Sequence, residues 1–259
     1  MEFPVDTRKI DFVHKEMIEK IRSEHGHILS SHAFASLYLW QHAMGLSLIC
    51  NEDFFAVHCG GRASNTWFFP CGDERKTHDF IVGRMSEKPF SLRYLRECDV
   101  RWLEDNFPGK WRFGRDESSD EYICDISEYI SLAGSKFSEI RRKIRKIDRE
   151  HSITVKEISD STLHDAMRVA KRWYATEHHI GADGLSDDMI AEIALGERAG
   201  LNINGVVVYA DGAPVSLFAG FPLTADTVDV LIGKCAPNAP RGMAYYALRE
   251  YLRSLNGTY

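Results

Sequence analysis

No stretch of this 259-residue chain is apolar for anything near the roughly 20 residues that a bilayer-spanning helix needs. The longest candidate, 33–50, is interrupted by Gln41, His42 and Gly45. The first twelve residues, MEFPVDTRKIDF, lack the apolar core of a secretory leader, so a cytoplasmic protein is expected. Cysteine is sparse and scattered: Cys50, Cys59, Cys71, Cys98, Cys124 and Cys235 form no CxxC pair. That spacing suits reduced thiols better than a disulfide frame or a zinc site. His25 and His27 flank a glycine with no carboxylate cluster nearby, so they read as loop residues, and no metal is expected. The first half also lacks a nucleophile motif, and His58 and Cys59 read as packed side chains on a strand.

What the chain does have is one block of concentrated positive charge, SKFSEIRRKIRKIDRE at 135–150. Phe137, Ile140, Ile144 and Ile147 recur at steps of three, four and three, which makes one apolar stripe on a helix. Arg142, Arg145, Lys146 and Arg149 share another face, with Lys136, Arg141 and Lys143 nearby. The whole chain has a formal net charge of −6, so this ridge is a local feature. Two readings stand side by side. It is either a solvated face on a connecting helix or a site for a phosphate-bearing partner, since only anions gain from such a concentration of charge.

Periodicity and turn residues give a coarse order of elements. A helix over 8–22 precedes a His-Gly-His turn, and Ser30 and Ser31 cap an apolar helix. Strand-like runs LSLICN, FFAVHC and NTWFFP follow, then a helix over 74–84, a strand over 90–94, a helix over 97–106, and strands at 111–113 and 122–126. After the basic helix come a strand over 153–158 and helices over 162–179 and 186–198. A hairpin on Asp211 and Gly212, a third strand (DTVDVLIGKCA), a glycine loop and a helix over 243–255 complete the chain. The pattern is α+β with largely antiparallel sheets.

Within DEYICDISEYISLAGSKFSEIRRKIRKIDRE, Leu132, Gly134, Lys136 and Phe137 form an L-x-G-x-K-F turn ahead of the basic helix. With the FASLYLWQH helix and the DGAPVSLFAG hairpin, this makes the chain resemble the phosphatidylglycerol lysyltransferase C-terminal-like family (DUF2156) from about residue 30 onward. The resemblance implies two tandem acyltransferase folds of the GCN5-related N-acetyltransferase (GNAT) type, each a mainly antiparallel sheet with flanking helices. An N-terminal domain would span 1–126; a basic linker helix and a C-terminal domain would span 127–259. Members continue past the final helix, so the second domain reads as shortened at its C-terminus. The implied activity moves an acyl or aminoacyl group from a phosphate-rich donor, aminoacyl-tRNA or a coenzyme A thioester, to an amine or hydroxyl, with no bound cofactor required. Contact with an anionic lipid is a further implied partner. The alternative is a non-catalytic module whose basic helix holds nucleic acid or anionic lipid.

Gly242 and Ala244 fill the last two fixed places of the fold's Q/R-x-x-G-x-G/A phosphate loop, while Ala239 occupies the first. A helix N-terminus there favours an anion whatever the match, and Arg241 adds charge. The donor-binding candidates are therefore Arg241, Gly242, Ala244, Lys136, Arg142, Arg145, Lys146 and Arg149. Candidate bases are Glu177, His178 and His179 at the end of the long helix, where a histidine also simply complements the helix dipole. Trp173 and Asp229 are candidates for an acceptor pocket, and Tyr245 for a polar group near the leaving atom. Asp229 and Lys234, five apart on a regular strand, are expected on opposite faces.

Overall fold

The structure, a computed structural model, describes residues 7–60, 65–87, 89–175, 187–255 and 257. The chain divides into two compact units, Met1–Tyr122 and Ile123–Tyr259. Among the described residues, no helix is long and apolar enough to cross a membrane.

In the first unit, Arg8 does not begin a helix. It bridges Leu48 with two backbone hydrogen bonds of 2.8 Å, and α1 (Lys15–Glu24) starts only after a short turn capped by Asp11. Helix α2 (Phe34–Met44) starts after Ala33 and buries Phe34, Leu37 and Leu39. The sheet runs β1 (Leu46–Asn51), β2 (Phe54–Cys59), β3 (Thr66–Phe68) and β5 (Ser91–Arg93), with β4 (Cys71–Gly72) paired to β2. The pairs β1–β2, β2–β3 and β2–β4 are antiparallel, but β3 and β5 are parallel across α3 (Glu74–Glu87), since a helical crossover returns the chain in the same direction. Helix α4 (Glu97–Asn106) closes the core with Leu103 and Phe107. The strands expected at 111–113 and 122–126 do not form. Trp111 instead turns its edge to Phe90 with ring centroids 5.3 Å apart.

His27 lies in the loop expected of it, but inside the fold. It is buried, and its ring lies 3.9 Å, centroid to centroid, from that of the fully buried His32. His32 Nε2 is bonded to the Phe69 carbonyl oxygen at 2.8 Å, and burial still pulls its pKa down to about 4.

The second unit opens with α5 (Ile126–Ser131), directly after the segment 122–126 that was expected as a strand. The Asp125 carboxylate accepts the Ser127 amide at 2.7 Å, an N-cap that selects helix over strand. The basic segment is a 3₁₀ turn, Ser135–Phe137, followed by α6 (Ser138–Glu150). Phe137, Ile144 and Ile147 are buried in this unit's core, each worth about 1.5–3 kcal/mol of transfer free energy. The chain then passes through β6 (Ile153–Glu157), α7 (Leu163–Tyr174), α8 (Asp187–Gly196) and α9 (Arg198–Leu201). It ends with β7 (Asn204–Ala210), β8 (Ala213–Pro222), β9 (Val228–Cys235) and α10 (Met243–Leu255).

These strands form one antiparallel sheet in the order β6-β7-β8-β9. The turn between β7 and β8 places Asp211 at φ +52° and Gly212 at φ +81°, the paired positive angles of a tight hairpin turn. Val206, Val208, Ala210 and Phe218 share a core with Ile144 and Ile147 of α6 and with Met243, Ala247 and Tyr251 of α10. Val207, Leu217 and Ala219 alternate with them on the opposite face, which α7 covers. A register shift between Ala219 and Phe221 bulges β9. Lys234 opposes Leu217 and Asp229 opposes Phe221, four residues apart on β8, so Lys234 and Asp229 share the α7 face. The expectation of opposite faces fails because the bulge adds a residue and reverses the alternation.

Candidate functional site

The loop 236–242 and the outer face of α6 meet in a groove of about 910 Å³. Their approach is close because Gly242 carries no side chain. It sits at φ +98°, and a Cβ there would stand 2.8 Å from the Lys143 Cβ. The loop thus rests on the helix and brings Arg241 into one lining with Arg142 and Arg145. Glu139 registers that nearness. Its carboxyl is held below the usual range first by its bond to Lys143, at 2.9 Å, and further by the charges of Arg142 and Arg241.

The ridge splits into compensated and uncompensated cations. Lys143 pairs with Glu139 and holds its ammonium 5.2 Å from the Tyr245 ring centroid. Lys146 and Arg149 both pair with Glu150, at 3.7 and 2.9 Å. Arg142, Arg145 and Arg241 form no ion pair among the described residues, although Glu139 and Glu150, each bonded to other cations, share the lining. Planar guanidinium groups favour bidentate contact with phosphate or carboxylate. At the start of α10, Met243 N–H donates to Pro240 O at 2.9 Å, and Tyr245 and Tyr246 N–H donate to Gly242 O at 3.1 and 3.2 Å. The amides of Gly242 and Ala244 make no hydrogen bond among the described residues, leaving two donors at the positive end of a helix.

A histidine also lines this groove. His151, at the C-terminal end of α6, has Nδ1 2.8 Å from Asp211 Oδ2, while Asp211 Oδ1 accepts the Ser152 amide at 2.9 Å. The Asp211 carboxyl is held below its usual range by His151 first and the Ser152 amide second. Sequence reading missed this pair because its members lie 60 residues apart. The Asp-Gly turn was legible, but its position against the end of α6 comes only from strand pairing between β6 and β7.

The remaining sequence candidates fall elsewhere. Lys136 does not line the groove. Its ammonium pairs with Glu128 and lies 5.0 Å from the Phe137 ring centroid. Trp173 lies on α7 with the Lys234 ammonium 3.4 Å above its ring centroid, so Trp173 and Asp229 belong to the sheet face opposite α6 and α10. Glu177, His178 and His179 lie outside the described residues. Tyr245 is 42% exposed, whereas its neighbour Tyr246 is buried and pushed up to about 12 by burial and then by Asp148.

A second groove, about 1320 Å³, belongs to the first unit. Phe90, Trp111 and Phe113 give it an aromatic wall, and its charges balance, with Arg93, Lys110, Arg112 and Arg115 against Glu97, Asp116, Asp120 and Glu121.

The two-unit α+β fold is shared with solved structures of low sequence identity. A crystal structure of a conserved protein of unknown function from Bacteroides thetaiotaomicron VPI-5482 superposes with a TM-score of 0.87 at 16% identity, covering 99% of this chain and 88% of that one. The C-terminal domain (DUF2156) of what is described as a lysylphosphatidylglycerol synthetase from Agrobacterium fabrum superposes with a TM-score of 0.61 at 15% identity, covering 96% of this chain and 76% of that one. A search of curated proteins by sequence gave no match. Residues 25–258 match the sequence model of the phosphatidylglycerol lysyltransferase C-terminal family, and the chain belongs to that family.

Proposed function

We propose that this protein is an aminoacyltransferase that takes its acyl group from a phosphate-rich donor held in the α6 groove and passes it to the head group of an anionic lipid. The observation that carries the reading is the convergence of Arg142, Arg145 and Arg241, none of them in an ion pair among the described residues, beside two undirected amides at the start of α10. Family membership supports the reaction class, since the family is described by transfer of lysine to phosphatidylglycerol. In this reading each unit is a GNAT-type acyltransferase fold. The order in the second unit, one strand, helices, three antiparallel strands, a loop and a helix, supports that, as does the parallel β3–β5 pair across α3 in the first. Arg142, Arg145, Arg241, Gly242 and Ala244 hold the donor, with Lys146 and Arg149 adding field. Tyr245 stands near the leaving atom. Trp173 and Asp229 stay as a secondary set on the α7 side, and Glu177 and His178 as secondary candidate bases. In this reading the reaction is cytoplasmic, where a charged tRNA donor is at hand.

A coenzyme A thioester is the second reading of the donor, favoured by Gly242 and Ala244 in the last two places of a pyrophosphate loop. The test offers the full chain labelled lysyl-tRNA, other aminoacyl-tRNAs or acyl-coenzyme A, with vesicles containing phosphatidylglycerol. Label entering the lipid fraction from a tRNA donor is the expected result. Label arriving only from coenzyme A selects the second reading. Donor binding without transfer from any donor contradicts both and favours a binding module.

A further inference from the structure

We propose that His151, oriented by Asp211, is the general base of the α6 groove and removes the proton from the acceptor nucleophile. This rests on the transferase reading above and names a residue that family membership does not supply. Asp211 is fixed from two sides. Its Oδ1 accepts the Ser152 amide at 2.9 Å, and its own amide donates to the Ser152 carbonyl at 2.8 Å. The turn holds it at φ +52°, a conformation that aspartate tolerates better than most side chains. Its second oxygen lies 2.8 Å from His151 Nδ1. A carboxylate at that distance keeps the proton on Nδ1, which leaves Nε2 as the acceptor. His151 Nε2 makes no hydrogen bond among the described residues, and the side chain is 30% exposed within the groove lining.

The other titratable groups of the lining are unsuited to the task. The arginines and lysines are already protonated at neutral pH. Glu139 and Glu150 are both held below the usual carboxyl range, by bonds to Lys143 and Arg149 first, and so are weak bases. His151 is the lining side chain that turns an unpartnered ring nitrogen to the groove among the described residues, and its carboxylate partner stabilises the imidazolium that forms. Eight helical steps separate Lys143, where Gly242 rests, from His151, roughly 12 Å along α6. A donor anchored by phosphates at Arg142 and Arg241 can therefore lie along the helix with its ester toward His151.

The step balances without a co-reactant. The acceptor hydroxyl gives its proton to Nε2 as its oxygen attacks the ester carbonyl carbon. The new carbon–oxygen bond forms, the bond to the donor's ribose oxygen breaks, and that oxygen takes the proton back from the imidazolium. With a thioester the departing atom is sulfur and the proton count is the same.

The experiment measures single-turnover transfer by the full chain and its His151→Gln, His151→Gly and Asp211→Asn variants across pH, alongside donor affinity. The proposal expects a fall of about 100-fold or more for H151Q, with donor affinity unchanged, and loss of the acidic limb of the pH–rate profile. It also expects partial recovery of H151G by added imidazole, and an intermediate loss for D211N. A role limited to stapling α6 to the hairpin would lower stability without altering the pH profile or permitting imidazole rescue, and that result overturns the proposal. Transfer by H151Q at the wild-type rate overturns it alone. A wild-type chain that transfers nothing from any donor removes the transferase reading and this proposal with it.

Discussion

Gly242 shows how a single absent side chain shapes the groove. Any Cβ there meets the Lys143 Cβ, close to the helix backbone where nothing can swing aside, and the backbone angle is one that side-chain-bearing residues resist. Gly242→Ala is expected to cost about 2 kcal/mol. It should also weaken donor binding by displacing Arg241. Denaturant midpoints and donor titrations of the variant check both, and an unchanged midpoint would count against the close approach. In the first unit, His32 makes stability depend on pH. Its folded pKa is about 4, against about 6.5 when the chain is unfolded, so between those values the unfolded chain takes up a proton that the folded one refuses. Stability is expected to fall as pH drops from 6.5 to 4, by on the order of 3 kcal/mol. Calorimetry should show this slope in the wild type and a flatter one in His32→Phe. Neither effect was legible in the sequence. His27 and His32 became core residues only through α1, α2 and the sheet closing over them, and nothing in HGH at 25–27 announces burial.

At the scale of elements, the sequence spoke most clearly where one pattern dominated. The apolar stripe of α6, the Asp211–Gly212 hairpin and the bounds of α4 and α10 were all legible, because periodicity or turn chemistry alone decides them. The segment 122–126 misled because its short apolar run, Tyr122, Ile123 and Cys124, looks like a strand while Asp125 caps a helix. The bulge in β9 was hidden for a similar reason, since one inserted residue leaves no mark in composition yet moves Asp229 to the other face. The charge of α6 was legible as a total, but the division between paired and unpaired cations was not. That division gives a direct prediction. Lys136→Ala should leave polyanion affinity within about twofold, because Lys136 is neutralised by Glu128 outside the groove. A large loss in a filter-binding assay would return Lys136 to the donor site.

For the whole molecule, the account comes down to one groove on an otherwise acidic chain, whose net charge of −6 repels polyanions elsewhere and makes the α6 face selective. The family was legible from the turn at Leu132, Gly134, Lys136 and Phe137, and the match over residues 25–258 agrees with it. The placement of the donor candidates was half legible. Arg142, Arg145 and Arg241 meet because Gly242 rests on Lys143, a contact between residues about a hundred positions apart. The most direct measurement is equilibrium binding of lysyl-tRNA to the full chain at salt concentrations from about 50 to 200 mM, for the wild type and for a variant with Arg142, Arg145 and Arg241 all changed to Ala. The account predicts a steep salt dependence for the wild type, and for the variant a slope of log affinity against log salt that is shallower by about 2–3. Equal slopes for the two proteins would contradict it, because the donor's phosphates would then be held somewhere other than this groove.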